Sequence, residues 1–259
     1  MQDFEEFAHA TGEHTLPVYR SGQGPGVLIM HELPGMVPEC VEFARRVRDG
    51  GFTVYLPLFF GKPNQSPAPA RHGMELMFCV RREFYMFEKN LTSPMVEKMR
   101  SLCRRMHQEC GGPGVGAVGM CLTGGFAIPL LLEKEVIAPA VSQPGIPGGM
   151  GKDARSSLGL SPEHVQGARK RVRDDNLEIR GYRFSHDPLS PPERFETYGR
   201  EFGKAFKPCV IDSSWGNDHK IPLWAHSVFT LHYDHTEGHP TRKAFDDLLG
   251  FFKAKLLSE

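Results

Sequence analysis

Residues 115–125 read Val-Gly-Ala-Val-Gly-Met-Cys-Leu-Thr-Gly-Gly, and this stretch constrains the fold more than any other. A Val-rich apolar run ends at Gly119, and a thiol, Cys121, follows two residues later. Thr123, Gly124 and Gly125 come next, and the apolar run 126–132 then reads as a buried helix. The pattern is strand, sharp turn, helix, with a nucleophile on the turn. Such a turn is strained, so side chains near it collide with neighbouring backbone unless they are small. A helix starting there aims its free N–H groups and positive dipole end at the sulfur, which favours thiolate. The alternative is an inert buried thiol packing as a small hydrophobe. The spacing favours a presented nucleophile, provided an acid and then a histidine follow it in the chain.

Length and composition narrow the class. At 259 residues the chain can bury a large core. It is 40% hydrophobic and 24% charged, ordinary for a globular protein. Thirty-one basic and thirty-one acidic residues cancel, which leaves no footprint for nucleic acid or an anionic membrane. The basic run 169–173 is followed by Asp174 and Asp175 and reads as a solvated helix face. Six cysteines show no CxxC pair. The first residues are acidic and lack the apolar core of a signal peptide, and no apolar run is long enough for a membrane span. Free thiols in a cytoplasmic setting are the expectation.

Along the chain, strand signals alternate with helix signals, which predicts an α/β fold with a mostly parallel sheet and helices on both faces. Strands are expected at 26–30, 52–56, 115–120, 137–141, 177–184 and 209–212. Helices are expected at 38–48, 76–87, 94–110, 126–133, 161–173, 191–204 and 240–257, with Pro38 and Pro94 in first turns. The Pro-rich stretch 61–72 and the Gly-rich stretch 143–151 read as loops. No repeat and no linker divides the pattern, so a single domain over 1–259 is expected.

A thiol nucleophile needs a base to take its proton and an acid to orient that base. Asp187 directly follows the 177–184 strand and is preferred over Asp212, whose Ser213-Ser214 sequel suggests a turn residue. Twelve histidines compete for the base. His239, in Glu237-Gly238-His239-Pro240 just before the terminal helix, occupies the slot the architecture requires, with His226, His232 and His235 upstream. His232, His235 and His239 are spaced like zinc ligands, but Gly238 breaks any helix that would present them together. No metal and no cofactor are expected. His31-Glu32-Leu33-Pro34-Gly35 ends the first central strand, at the edge where open α/β sheets bind ligands. The N–H groups of Leu33 and Leu122 are the expected oxyanion donors. Glu32 is expected at the mouth of the site, either as an exposed loop carboxylate or as a group that handles the Cys121 proton.

The segments 27–32, 119–125, 183–187 and 238–240 together resemble the dienelactone hydrolase family, over about residues 14–257. The resemblance implies an α/β-hydrolase fold of about eight strands. It also implies a Cys121–Asp187–His239 triad, and a Glu32 that neighbours the thiol and takes its proton when substrate binds. It implies an anionic lactone held by arginine, for which Arg81 and Arg82 are the candidates; the alternative for both is a solvated helix face. Thr123 departs from the family pattern, where Gly is usual, and the N-terminal arm and the 143–176 segment are longer than a minimal member needs. The reading is a cysteine hydrolase of small esters or lactones, a monomer or weak homo-oligomer. Its rivals are a non-catalytic member of the fold and a redox-responsive thiol protein.

Overall fold

A computed structural model describes residues 1–11, 14–33, 35–65, 94–145 and 151–257. The expected helix at 76–87, with Arg81 and Arg82, lies outside the described residues.

Eight strands form one sheet: β1 (Glu5–Thr11), β2 (His14–Gly22), β3 (Gly26–Met30), β4 (Thr53–Pro57), β5 (Val115–Met120), β6 (Val136–Ser142), β7 (Ile179–Phe184) and β8 (Phe206–Ile211). Their order is β1-β2-β4-β3-β5-β6-β7-β8. β1 and β2 are antiparallel to each other, β2 is antiparallel to β4, and all pairs from β4 to β8 are parallel. β3, β4 and β5 are buried at every residue, which is why they read as unbroken apolar runs. β8 is the far edge. Pro208, which cannot donate to a ladder, and half-exposed Cys209 and exposed Val210 sit there.

Side chains alternate between two cores. Val27 and Ile29 of β3 join the core with Phe43 and Val47 of α1 (Pro38–Asp49) and Phe245, Leu248 and Phe252 of α6 (Pro240–Leu256). Leu28 and Met30 point the other way. They meet Met99, Leu102 and Met106 of α2 (Pro94–Cys110), in the core completed by Val172 of α4 (Pro162–Asp174) and Tyr198 of α5 (Pro192–Phe202). This period of two along β3 forces helices onto both faces.

Three elements differ from expectation. The β1–β2 hairpin extends the sheet where the sequence offered only a long N-terminal arm. A short helix, α3 (Lys152–Ser156), interrupts the 143–176 segment. The apolar stretch after Cys121 forms two 3₁₀ turns, Cys121–Ala127 and Pro129–Leu132, in place of one continuous helix. Gly124 and Gly125 are poor helix formers, and Pro129 lacks the N–H a continuous helix needs.

Candidate active site

The parallel strands deliver four loops to one sheet edge. β3 runs into Glu32, β5 into Cys121, β7 into Asp187, and β8 into the long segment 212–239. β3 and β5 lie side by side in the sheet, yet their following connections diverge: α1 leads to β4 on one side, and the turn after β5 leads to β6 on the other. That is the switch point where α/β sheets open a crevice.

Cys121 sits on a left-handed backbone, φ +52°, which costs a non-glycine residue energy unless its surroundings hold it. The surroundings do hold it. A Cβ on Gly119 would lie 2.1 Å from the carbonyl oxygen of Thr123, and one on Gly124 would lie 2.7 Å from Cα of Pro144. Neither position admits a side chain. Thr123 does, because its hydroxyl is used: it donates to Met30 O at 2.9 Å and accepts from Met120 N–H at 3.1 Å. The threonine that departs from the family pattern thus bolts the turn to the end of β3. Gly145 N–H donates to Cys121 O at 2.9 Å and closes the other side.

Asp187 is buried, with its Oδ1 accepting from the N–H groups of Leu189 and Ser190 at 2.9 and 3.2 Å. Its Oδ2 is 2.6 Å from Nδ1 of His226. The imidazole that meets the acid is therefore His226, where His239 was expected. His239 caps α6: its Nδ1 accepts from Thr241 N–H, and its ring packs edge-on to His219. Those bonds are local, and they satisfy the nitrogen that would have to face Asp187. Asp212, the rival acid, instead accepts from Ser214 N–H in a surface turn.

The 212–239 segment positions His226 by winding around a second imidazole. Nδ1 of His232 accepts from Ser227 N–H at 3.2 Å, and His232 N–H donates back to Ser227 O at 3.0 Å. Burial and the neighbouring His226 push the His232 pKa down, which keeps that lone pair available. His226 itself shifts the other way. Burial opposes its charge, but the hydrogen bond it donates to Asp187 and the nearby Cys121 sulfur outweigh it, and its pKa is pushed up to about 11. Its Nε2 is buried and has no hydrogen-bond partner among the described residues. One ligating atom from each of Glu32, Cys121 and His226 lies within 4.8 Å of the others.

Glu32 is fully buried rather than at the mouth of the site. Its carboxylate accepts from Ser227 Oγ at 2.8 Å, from Gln143 Nε2 at 3.2 Å and from the Thr230 hydroxyl. Three donors compensate the loss of water around the charge. Upstream, His31 Nε2 accepts from Phe59 N–H at 3.1 Å, which leaves Nδ1–H to donate to Glu32 O at 3.1 Å. Full burial holds the His31 pKa down at about 4, so the ring stays neutral in that role. Leu33 and Phe60 pack against Cys121 and Leu122 and form an apolar wall beside the sulfur.

A cysteine on a strained turn after a central strand, a buried carboxylate after a later strand and an imidazole ahead of the last helix, on one mostly parallel eight-stranded sheet, match the α/β-hydrolase class of fold. Within that class the chain belongs to the dienelactone hydrolase family, whose model matches residues 13–156, and this places it among ester and lactone hydrolases. Similar solved structures share the fold at low identity. A protein designated m3DLH is 14% identical with a TM-score of 0.67, covering 98% of each chain. A dienelactone hydrolase-like promiscuous phosphotriesterase from metagenomic libraries is 16% identical with a TM-score of 0.63, again over 98% of each chain. The dienelactone hydrolase of Anabaena variabilis is 13% identical with a TM-score of 0.61, over 98% of this chain and 99% of its own. Comparison with the curated proteins finds no match. Asp187 and His226 both lie beyond the stretch matched by the family model, so their part in the site rests on geometry. No helix among the described residues is long and apolar enough to cross a membrane.

Proposed function

We propose that this chain hydrolyses a small ester or lactone through a Cys121–His226–Asp187 relay. The observation that carries the proposal is the approach of one half-buried imidazole to both Asp187 and the sulfur-bearing turn. The Cys121 sulfur attacks the carbonyl as thiolate, its proton residing on His226 or passing to Glu32. The N–H groups of Leu33 and Leu122 receive the oxyanion; one such donor is typically worth about 3 kcal/mol of barrier. His226 protonates the leaving oxygen and then takes a proton from water, which cleaves the thioester. Asp187 fixes the ring's tautomer through its Nδ1. Glu32 lies close enough to sulfur and imidazole to favour the imidazolium. A leaving group of low basicity, such as an enol, suits a thiol nucleophile, because the expelled oxygen does not readily re-attack the thioester.

The test is mass spectrometry of protein treated with a p-nitrophenyl ester, alongside kinetics. An acyl adduct on Cys121 is expected, absent from Cys121→Ser. In His226→Ala, kcat/KM should fall by at least about 10⁴-fold, the scale for loss of a triad member. In His239→Ala it should stay within a few fold of wild type. Adducts spread over Cys40, Cys110 and Cys209, or a collapse in His239→Ala with His226→Ala intact, would overturn the assignment.

A further inference from the structure

The three groups that converge on the crevice are also a ligand set. A thiol, an imidazole and a carboxylate within 4.8 Å of one another are the donors that zinc takes. The outer arrangement fits as well. His226 Nδ1 is already held by Asp187 at 2.6 Å, which leaves the buried Nε2 as the nitrogen that can ligate once it gives up its proton. Metal-bound histidines usually carry such a carboxylate on their other nitrogen. Glu32 is steadied by Ser227 and Gln143 at 2.8 and 3.2 Å. Ligand atoms around a tetrahedral zinc lie about 3.3–3.7 Å apart, given bonds of about 2.0–2.3 Å. The three atoms therefore need to close by at most about 1.5 Å. Charge also balances: one thiolate and one carboxylate neutralise a divalent ion in a buried site. A soft sulfur ligand selects zinc-like ions over magnesium or calcium.

We propose that Cys121, His226 and Glu32 bind a thiophilic divalent ion of the zinc type, and that occupancy blocks the thiol. Ligation forms an S–metal bond in place of the one proton that Cys121 and His226 hold between them, and that proton leaves to solvent. It also occupies the Nε2 lone pair, and water completes the fourth position. Two of the three histidines spaced like zinc ligands in the sequence have one ring nitrogen committed elsewhere. Nδ1 of His232 is taken by Ser227 N–H and Nδ1 of His239 by Thr241 N–H.

The experiment uses the full chain, Zn²⁺ in equilibrium dialysis, and Co²⁺ as an optical probe. Co²⁺ should produce a thiolate-to-cobalt absorption band in wild type that Cys121→Ser lacks and that a Cys110→Ser, Cys209→Ser double variant retains. Affinity for Zn²⁺ should fall at least about tenfold in Glu32→Gln. Zn²⁺, but not Mg²⁺, should protect Cys121 from iodoacetamide, and EDTA should restore alkylation. A band that persists in Cys121→Ser, unchanged Zn²⁺ affinity in Glu32→Gln, or equal alkylation with and without Zn²⁺ would overturn the proposal. None of these readouts needs turnover, so they stand or fall separately from the hydrolytic assignment.

Discussion

Thr123→Val tests whether the elbow is held by one hydroxyl. Thr123 is 2% exposed, so Val, its near isostere, replaces it without opening a cavity or reaching solvent. What is lost is polar. Met30 O loses a donor at 2.9 Å and Met120 N–H loses an acceptor at 3.1 Å. A buried polar group left without its partner costs about 1–3 kcal/mol, so the pair predicts a loss of about 2–6 kcal/mol. For a chain of this size that lowers Tm by roughly 4–24 °C. The assay is urea unfolding with wild type, Thr123→Val and Thr123→Ser in parallel. Ser keeps the hydroxyl and gives up one methyl group, worth about 1 kcal/mol. Val should therefore be the less stable variant by at least about 1 kcal/mol, at unchanged m-value. If Val equals or exceeds Ser in stability, the hydroxyl is not what fastens the turn to β3, and the account of Thr123 fails.

Gly119→Ala should lose more than about 3 kcal/mol or fail to fold, because its Cβ would sit 2.1 Å from a backbone oxygen. Gly250→Ala, with nothing within 4 Å of the new Cβ and a place inside α6, should gain about 0.5–1 kcal/mol; melting curves that rank the two together would undercut the steric argument. His239→Ala should lower stability by about 1 kcal/mol through loss of the α6 cap, read by the same melts. Asp3 has its pKa lowered chiefly by its hydrogen bond to Arg45. A depressed carboxylate contributes stability that is present above its ordinary value of 3.8 and lost as pH falls below it. Asp3→Asn should therefore flatten acid-induced unfolding at that end of the pH range, and added salt should shrink the difference because Asp3 is partly exposed. A variant as acid-sensitive as wild type at low salt would refute this.

Much of the fold was legible because its signals are local. β3 to β6 are short apolar runs bounded by turn residues, and α1, α2, α4 and α6 each carry Pro in the first turn. The β1–β2 hairpin was not legible. Its strands lie at the sheet edge with charged residues among them, and Arg20 pairs with Glu5 across the hairpin and with Glu109 of α2. Such contacts leave no periodic apolar trace. The 3₁₀ turns after Cys121 were hidden for another reason. Hydrophobicity reported burial of 126–132 correctly, but it cannot distinguish a helix from a pair of tighter turns when Gly and Pro interrupt it.

The site divides along the same line. Cys121 announced itself because a sharp strained turn imposes steric demands on its immediate neighbours, and Gly119 and Gly124 record them. The imidazole imposes none. Its identity depends on how 212–239 folds back onto Asp187, which is a long-range matter. His239 had the better position in the chain, yet Glu237, Gly238 and Pro240 around it are helix-start signals, and the histidine serves as the cap those signals call for. His226 lacks such neighbours. It is flanked by Ala225, Ser227, Val228 and Phe229, all buried. A polar ring carried into the interior on apolar and small residues must find a partner there or destabilise the fold, and Asp187 is that partner. Flanking composition therefore discriminated between the two histidines better than proximity to the last helix. The Ser227 that follows His226 supports the same conclusion, since its hydroxyl donates to Glu32 and ties the imidazole-bearing loop to the carboxylate beside the thiol.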